Sequence, residues 1–487
     1  MQDKIIGEGI TFDDVLLVPA LSAIHPKDID TSTNLTRNIK LNIPLVSAPM
    51  DTVTEAKLAI ALAQEGGMGL IHLNMPIEAQ ALEVEKVKRS ENGIIFDPAV
   101  LSPTESTANV RQIMEKKHVS GFPIVENDGT VVGILTRRDM KFLSPDEDIC
   151  VSDVMTKDKL VTAKADITLE EAERILCKEK VEKLILLNEG KLAGLITMAD
   201  IEKTRLYPQS CRDDRGRLRV GAAVGIMDLE RVEALIDKDV DVICVDTSHG
   251  HKGIVLKTIR EIKAKWDIDV IAGNIATADA AQDLIDAGAD SLRIGIGPGA
   301  ICTTRVVTGV GVPQITAVSQ AAAIANKYNV PVIADGGIRH SGDIAKAIGA
   351  GASVAMMGSL FAGMEESPGE LVLYRGRRYK AYRGMGSIDA MLAGSADRYS
   401  QKDVKDRAKL VPEGVAGRVP YRGNLADYVY QLVGGIRSGM DHVGAATIKE
   451  MQEKAKFLKI SAATLAENHP HDISITQEAP NYFTGQN

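Results

Sequence analysis

Eight short apolar segments alternate with amphipathic helical patterns along most of the chain, and this alternation constrains the fold more than any other feature. From the third segment onward the starts lie roughly 20 to 40 residues apart, which is the rhythm of parallel strands joined by helices. The predicted strands are PLVSAPM (44–50), MGLIHL (68–73), LRVGAAVG (218–225), DVICVDTS (241–248), DVIAGNIA (269–276), DSLRIGIG (290–297), PVIADGG (331–337) and SVAMMGS (353–359). We therefore predict an α/β chain built on a (β/α)8 TIM barrel.

The alternation breaks once, between the second and third predicted strands, where a long segment intervenes. Within it VVGILTRRDMKF (131–142) matches LAGLITMADIEK (192–203), which lies 61 positions further along. Self-similarity at a fixed spacing indicates a tandem repeat of one structural unit. The predicted domains are a first part of the barrel at 1–92, an inserted repeat domain at 93–205 with repeats of about 93–152 and 153–205, and the rest of the barrel at 206–487.

Charge and cysteine usage exclude several classes of protein. The 487 residues carry a formal net charge of −9 without long blocks of like charge, so nucleic acid is not expected as the main partner. Neither a basic, apolar leader nor an apolar run of about 18 residues is found, so we expect no signal peptide and no membrane partner. The five cysteines are scattered without a C-x-x-C pair, which is typical of a reducing compartment. We expect a cytoplasmic protein.

The segment GIGPGAICTTR (295–305) follows the sixth predicted strand, at the end of the barrel where active sites form. Its glycines allow close approach of the backbone to a ligand and leave N–H and C=O groups free. A cysteine on such a loop is accessible to substrate, and the nearby Arg305 favours the reactive thiolate. We predict Cys302 as a catalytic nucleophile. The remaining cysteines are predicted to be small buried hydrophobes: Cys150, Cys177, Cys211 and Cys244.

Several motifs together connect the chain with a known family. They are GPG-x-x-CTTR, SAPMDTVTE, VGAAVG, ADGGI, MMGSLFAG, YRGMGS and PEGV. The inserted repeat resembles a pair of cystathionine-β-synthase (CBS) modules, a Bateman domain, and the whole chain resembles the inosine-5′-monophosphate (IMP) dehydrogenase family. This resemblance implies NAD+-dependent oxidation of IMP to xanthosine 5′-monophosphate (XMP), the committed step of guanine nucleotide biosynthesis. GPG-x-x-CTTR is the most specific of these motifs. The phosphate-binding glycines alone would not identify the family, because many unrelated barrels share them.

The resemblance also assigns the catalytic roles. Cys302 would attack C2 of the hypoxanthine ring, a hydride would pass to NAD+, and Thr304 would help to polarise the attacking water. Arg398 and Tyr399 would activate water for hydrolysis of the covalent thioimidate, on a mobile flap at about 388–421. The alternative interpretation of that segment is an inert surface loop.

The resemblance further implies how IMP and NAD+ are held. Asp335 would bind both ribose hydroxyls, and Glu413 would contact the purine near N1 for recognition or proton relay. The expected IMP-binding residues are Ala300, Asp335, Gly337, Gly358, Ser359, Tyr382, Gly384, Met385, Gly386 and Glu413. The expected NAD+-binding residues are Asp246 at the nicotinamide ribose, Ser248 and His249 toward the adenosine, and Gly295 and Gly297.

A potassium ion is implied on the same glycine-rich loop, because the family binds K+ there through backbone oxygens, the ligands that hard cations prefer. The implied carbonyl ligands are those of Gly297, Gly299 and Cys302. The implied ligands from a neighbouring subunit are Glu467, Asn468 and His469. A site shared between chains implies a homotetramer, and the sequence leaves open whether tetramers pair into an octamer.

Each CBS-like repeat carries a T-x-x-D element. The two elements are Thr136 with Asp139, and Thr197 with Asp200. By resemblance they would contact the ribose and phosphates of a regulatory purine nucleotide, ATP or GTP. The alternative is that these side chains only cap the helix that follows.

Four positions, at three places in the chain, depart from the family pattern. Ala300 stands where a serine usually meets the IMP phosphate, so one hydrogen bond of about 0.5–1.5 kcal/mol net is expected to be missing. Lys252 and Gly253 follow SHGH where Ser-Lys is common, and Asn468 replaces the usual serine. We expect Ala300 to weaken the binding of IMP, because it lacks the serine hydroxyl, and we expect the chemistry of the reaction to be unchanged.

The sequence is also compatible with three other functions. A guanosine-5′-monophosphate (GMP) reductase shares the barrel and the CTTR cysteine, although Arg398 with Tyr399 and the inserted repeat argue against it. A non-catalytic nucleotide sensor would use the CBS pair, and a flavin-dependent barrel oxidoreductase would use the same phosphate loops. His249 and His251 are alternatively zinc ligands or plain loop histidines, and zinc lacks a third ligand in view.

Overall fold

The computed structural model describes residues 4–90, 95, 98–117, 119–141, 143–144, 148–399, 401, 403–404 and 406–482. Contacts divide the chain into two compact units. The first comprises the described parts of 1–90, 209–213 and 218–487, and the second those of 91–208 and 214–217. The start of the insert predicted at residue 93 lies outside the described residues.

Eight parallel strands form a closed barrel in the first unit. They are β1 (Leu45–Ser47), β2 (Met68–Ile71), β3 (Val220–Val224), β4 (Val242–Asp246), β5 (Asp269–Ile275), β6 (Ser291–Ile294), β7 (Val332–Asp335) and β8 (Val354–Met357). Met356 of β8 pairs with Val46 of β1, and Gly221 of β3 pairs with Leu70 of β2, which closes the ring. The predicted TIM barrel is confirmed, and each predicted segment contains one strand.

A helix follows every barrel strand. These helices are α1 (Ala56–Gln64), α2 (Ile77–Ser90), α3 (Leu229–Ile236), α4 (Gly253–Lys265), α5 (Ala278–Asp286), α6 (Gln314–Ala325), α7 (Ser341–Gly349) and α8 (Leu425–Val443). Each has an apolar face against the barrel; in α5 the buried residues are Ala280, Ala281, Leu284 and Ile285. With both faces of the sheet covered, the strands are almost entirely buried. The loops at the ends of the barrel are therefore the surfaces available for chemistry.

Some strands end earlier than their sequence pattern predicts. The sixth predicted segment runs to residue 297, whereas β6 ends at Ile294. Gly295 has a φ of +150°, a conformation that side chains disfavour, so the chain turns out of the sheet there. The glycines and polar residues that follow consequently form a loop at the carboxyl end of the barrel.

Smaller elements complete the first unit. The additional strands are Val15–Leu17, Thr33–Asn34, Lys40–Leu41, Leu371–Tyr374, Arg377–Arg383, Ala416–Pro420 and Phe457–Lys459. The short helices are Thr304–Thr308, Ser359–Ala362, Ile388–Ala393, Ile448–Lys454 and Thr464–Glu467, and the 3₁₀ turns are Phe12–Asp14, Pro26–Asp28, Asn326–Tyr328, Ser395–Tyr399 and Arg407–Lys409. Leu371–Tyr374, Arg377–Arg383 and Ala416–Pro420 form an antiparallel sheet between β8 and α8. No helix in the described ranges is both long and apolar enough to span a bilayer.

The second unit consists of two halves that share, in the same order, a helix, an antiparallel strand pair and a closing helix; the second half has an additional strand before its helix, and the first has a further short helix at its end. The first half has Thr107–Lys117, Gly121–Val125, Val131–Thr136, Arg137–Met140 and Val151–Val154. The second has Thr162–Lys164, Leu169–Glu179, Lys183–Asn188, Lys191–Thr197 and Met198–Leu206. Each half has its own apolar core, around Phe122 and around Leu186. This is the arrangement expected of a repeated unit.

Candidate active site

A cleft of about 910 Å³, including its open mouth, lies among the loops at the carboxyl end of the barrel. It collects most of the site residues predicted from sequence, although they come from distant parts of the chain. Those that line it are Ser248, Gly295, Gly297, Gly299, Ala300, Cys302, Thr304, Asp335, Gly337, Gly358, Ser359, Tyr382, Gly384, Met385, Gly386, Arg398, Tyr399 and Glu413. One cavity thus brings together a cysteine, two separate carboxylates (Asp335 and Glu413), glycine-rich loops, and Arg398 with Tyr399.

The thiol of Cys302 begins a hydrogen-bonded chain that ends on a carboxylate. Its Sγ lies 3.2 Å from Thr304 Oγ1, which accepts the bond, and Thr304 Oγ1 donates to Glu413 Oε2 at 2.8 Å. The backbone holds the same groups together, because the Thr303 amide donates to the Glu413 carbonyl at 2.9 Å. A proton can therefore move between the half-buried thiol and a carboxylate through one hydroxyl.

A buried ion network lies beneath the cleft and joins the ends of neighbouring strands. Arg293, on β6, donates to Asp246 of β4 and, through Nε at 2.9 Å, to Asp335 of β7. Asn274 of β5 donates to the same Asp335 oxygen at 2.8 Å. Burial alone would lower the pKa of Arg293, but the two carboxylates outweigh burial and raise it. The network therefore holds Asp335 in place where it lines the cleft.

Arg293 and Asn274 are site residues that were not predicted from the sequence. A signal for Arg293 was present, because an arginine inside the apolar segment DSLRIGIG is rarely buried unless it is paired. Its side chain is only 3% exposed. Asn274 had no comparable signal, since an amide near a strand end is common in loops. The pairing itself depends on which strands are neighbours in the barrel.

Arg398 and Tyr399 are packed into the cleft. Arg398 donates to the carboxylate of Asp246, and its carbonyl accepts from the Ser248 amide at 3.3 Å. Burial disfavours charged Arg398, but Asp246 outweighs burial and raises its pKa. Tyr399 lies so close to Gly386 that a Cβ there would be 2.7 Å from its ring, and burial raises the pKa of this phenol. The flap predicted at 388–421 includes residues 400, 402 and 405, which lie outside the described residues.

Both oxygens of Asp246 face arginines in this arrangement, one from Arg293 and one from Arg398. The predicted cofactor ligand is therefore 2% exposed and occupied by ion pairs rather than open to the cleft. His249 lies on the neighbouring loop, where partial burial of its ring lowers its pKa. Two of the residues assigned to the cofactor, Asp246 and Ser248, are thus contacted by Arg398.

The residues assigned to the substrate phosphate line the cleft. Gly337 follows β7, and Ser359 begins the short helix after β8. The buried Tyr382 hydroxyl lies 3.9 Å from Met50 Sδ, and burial raises the pKa of this phenol. Ala300 is exposed at the rim. Its methyl group offers the phosphate no hydrogen bond.

Glu467, Asn468 and His469, which the resemblance assigns to K+ from a second subunit, are not among the residues that line the cleft of their own chain. His469 hydrogen-bonds Tyr482 at 2.9 Å, and its ring centroid is 6.2 Å from that of His340. In the glycine loop, the Gly299 carbonyl accepts from the Cys302 amide at 3.0 Å. Among the described residues no group of three His, Cys, Asp or Glu side chains could hold a metal ion, and His251 bonds Asp283 at 2.7 Å.

The prediction that four cysteines are buried is wrong for two of them. Cys211 and Cys244 are buried, and burial raises the pKa of each thiol to about 12. Cys150 and Cys177 are exposed. Cys177 lies on the outer face of an amphipathic helix, and Cys150 precedes the short helix Val151–Val154. A pattern of isolated cysteines does not distinguish these positions.

The T-x-x-D side chains cap helices in the second unit. The Thr136 amide and hydroxyl both donate to Asp139 Oδ2 at 2.7 Å. In the second repeat the Thr197 hydroxyl donates to Asp200, whose amide donates back to Thr197 Oγ1 at 3.2 Å. The capping alternative is therefore present in the structure, and nucleotide binding at these residues stays a prediction.

Replacing Asp139 by alanine tests whether this residue only caps its helix or also binds a nucleotide. Loss of the cap should lower the free energy of unfolding by about 1 kcal/mol, measured by calorimetry on the full chain. If the residue also contacts nucleotide, ATP should raise the unfolding temperature of the wild type more than that of the variant. Asp153→Ala, on the exposed face of another short helix, serves as the control. Equal stabilisation by ATP in all three proteins would restrict Asp139 to capping.

Comparisons with known proteins agree with this geometry. The family model described as "IMP dehydrogenase / GMP reductase domain" matches residues 9–471. An inosine-5′-monophosphate dehydrogenase of Rhodopirellula baltica is 58% identical over 99% of this chain and 89% of its own length. Those of Aquifex aeolicus and Bacillus subtilis are 57% and 53% identical, each over 99% of both chains.

A solved structure of a GMP reductase from Trypanosoma brucei, in complex with guanosine 5′-monophosphate, is also similar. It is 40% identical with a TM-score of 0.87, covering 97% of this chain and 100% of its own. Because that coverage extends across the insert, the inserted repeat does not argue against a reductase, and that part of the sequence argument is wrong. Family membership itself is secure: this chain belongs to the IMP dehydrogenase / GMP reductase family.

Proposed function

We propose that this chain is an IMP dehydrogenase, which oxidises IMP to XMP with NAD+ through a covalent intermediate on Cys302. The observation that carries the proposal is the Cys302–Thr304–Glu413 chain in the same cleft as Arg398 and Tyr399. The named bacterial relatives, more than half identical over nearly the whole chain, support it. Purified protein given IMP, NAD+ and K+ should therefore form NADH and XMP in equal amounts; wild-type protein that forms neither would contradict the proposal.

In the first half-reaction the Cys302 thiolate forms a bond to C2 of the purine. A hydride then leaves C2 and is accepted by NAD+, which gives NADH and a thioimidate. The Thr304 hydroxyl and the Glu413 carboxylate can take the proton of the thiol, because they are already linked to it by hydrogen bonds. Asp335 holds the ribose, since its carboxylate is fixed by Arg293 and Asn274.

In the second half-reaction water attacks C2 and the carbon–sulfur bond breaks, which releases XMP and restores the thiol. The proton of the water passes to the protein. Arg398 and Tyr399 are placed for this step, because both line the cleft that contains Cys302. Their burial excludes bulk water from the covalent intermediate.

The cofactor and the segment that contains Arg398, the 3₁₀ turn Ser395–Tyr399, would contact the same residues. Asp246 and Ser248 are assigned to NAD+ by family resemblance, and both contact Arg398 here. Binding of the cofactor at these residues therefore requires Arg398 to leave them. We infer that the segment enters after NADH departs, so that oxidation and hydrolysis alternate in one cleft.

Two further parts of the proposal involve groups beyond a single chain. K+ would be bound by the carbonyls of Gly297, Gly299 and Cys302 and by a second subunit through Glu467, Asn468 and His469, in a homotetramer. A purine nucleotide, ATP or GTP, would bind the CBS pair at the T-x-x-D elements and regulate the barrel.

GMP reductase is the second candidate, because a GMP reductase has the same fold over nearly the whole chain. The reductase would consume NADPH and release ammonia from GMP instead of forming NADH. Arg398 and Tyr399 favour the dehydrogenase, since hydrolysis of a thioimidate needs an activated water and a reductase does not perform that hydrolysis. Formation of IMP from GMP and NADPH, without NADH from IMP, would decide for the reductase.

Replacing Arg398 by alanine should separate the two half-reactions. Hydride transfer should still give one NADH per active site in a burst, because Cys302 and its relay are intact. Hydrolysis should then slow by about 10²–10⁴-fold, the usual effect of losing a group that activates water. Stopped-flow absorbance measures both phases. Arg407→Ala, an exposed position in the same segment, is the control, and an equal loss of both phases in Arg398→Ala would contradict the assignment.

A further inference from the structure

A single arginine fastens both ends of the loop that carries Cys302. The loop leaves β6 after Ile294 and reaches α6 at Gln314. Within it, Arg305 Nε donates to the Ile296 carbonyl at 3.0 Å, and Nη2 donates to the Val312 carbonyl at 2.7 Å. Ile296 lies near the start of this loop and Val312 near its end. One planar side chain therefore closes the base of a long glycine-rich loop.

Two glycines leave the space that this side chain occupies. A Cβ at Gly297 would lie 2.6 Å from Arg305 Cγ, and a Cβ at Gly311 would lie 2.6 Å from Arg305 Nε. Real Cβ atoms do not approach this closely, so with a side chain at either position the Arg305 side chain would have to shift from its present place. Three separate residues thus specify one contact, which is more than an incidental surface hydrogen bond would require.

We propose that Arg305 is a positioning residue that sets where Cys302 and Thr304 stand against the substrate. The inference deepens the proposed function and rests on it. Arg305 directly follows Thr304 in the short helix Thr304–Thr308, so the bonds of its guanidinium anchor the backbone beside the hydroxyl that links the thiol to Glu413. A misplacement of about 1 Å at reacting groups lowers rates by about 10²-fold.

The two hydrogen bonds indicate that Arg305 acts as a clamp, a side chain that bridges two parts of the loop, and does more than supply a positive charge near Cys302. Both acceptors are backbone carbonyls that lie on opposite sides of the loop. A guanidinium presents several donors in a rigid plane, whereas a lysine has one nitrogen on a flexible stem. Lysine retains the charge at this position but cannot bridge both carbonyls in the same way.

The test compares four variants of the full chain. Arg305→Lys and Arg305→Gln remove the bridge with and without loss of charge, and Gly311→Ala keeps the arginine but crowds its stem. Val306→Ala is the control, because this neighbour is on the same short helix and is 87% exposed. We expect the NADH burst to slow by about 10–100-fold in the first three, with the KM for IMP near that of the wild type, and to be unchanged in Val306→Ala.

Hydrogen–deuterium exchange of peptides from 295–313 supplies a readout that does not depend on activity. Exchange should be faster in the three clamp variants and unchanged in Val306→Ala. A wild-type burst rate in Arg305→Lys or Gly311→Ala, or wild-type exchange in both, would overturn the clamp. If the wild type forms no NADH, the proposed function fails, while the exchange measurement still decides whether Arg305 holds the loop.

Discussion

Replacing Cys302 by alanine is expected to abolish NADH formation from IMP and NAD+, with a loss of more than about 10³-fold in kcat. The reason is that hydride leaves C2 only after sulfur has added to it, and alanine supplies no nucleophile. The loop itself should persist, because the bonds from Arg305 to Ile296 and Val312 do not involve the thiol. IMP should therefore still raise the unfolding temperature of the variant. Absorbance of NADH and a thermal shift with IMP measure the two effects.

The matched control is Cys177→Ala, which removes an exposed thiol from a helix of the second unit. It should retain wild-type activity. NADH formation by Cys302→Ala within tenfold of the wild-type rate would contradict the nucleophile assignment. Loss of both activity and IMP binding would instead mean that the alanine had disturbed the substrate site.

Replacing Arg293 by methionine is expected to destabilise the barrel by about 3–5 kcal/mol, the usual cost of removing one partner from a buried ion pair. Methionine fills similar volume, so the loss arises from charge rather than from a cavity. Asp246 would be left with Arg398 alone, and Asp335 with Asn274. Denaturant unfolding of the full chain, followed by fluorescence of Trp266 on the barrel, measures the change.

Arg407→Met is the control for that experiment. Arg407 forms an ion pair with Asp389 in which both side chains are more than half exposed, and such pairs contribute about 0–1 kcal/mol. A destabilisation by Arg293→Met no larger than that of Arg407→Met would contradict the view that the network beneath the cleft is held by Arg293.

The barrel could be predicted from sequence because its signal is periodic and local. Each of the eight segments is an apolar run with a helix after it, and each became a strand that is buried on both faces. The cysteine loop could be predicted because glycine spacing and the CTTR motif lie within eleven consecutive residues, 295–305. Strand ends were less certain, because glycine turns such as Gly295 end a strand within an apolar run.

The ion network could not be predicted, because it joins residues far apart in sequence. Arg293 lies 42 positions from Asp335 and 47 from Asp246, and only the strand order of the closed barrel brings them together. Arg305 shows a related limit. The sequence placed it beside the thiol, whereas the structure shows that its donors bind two carbonyls. Charge is visible in a sequence, but the direction of a side chain is not.

The insert illustrates a different limit. Its repeat was visible from self-similarity, and the two halves share one order of elements. The T-x-x-D pattern, however, is satisfied by helix capping alone. A motif that serves both local structure and ligand binding does not separate the two, so regulation by nucleotides stays a prediction that the Asp139→Ala experiment tests.

The most direct test of the account is to trap the covalent intermediate. Arg398→Ala is mixed with IMP and NAD+, quenched during the burst, and examined by intact-mass and peptide mass spectrometry. We expect an adduct of IMP less one hydride on the peptide that contains Cys302. Its formation should require NAD+, and it should be absent from the double variant that also lacks Cys302. XMP formed without any adduct, or an adduct on another residue, would contradict this expectation.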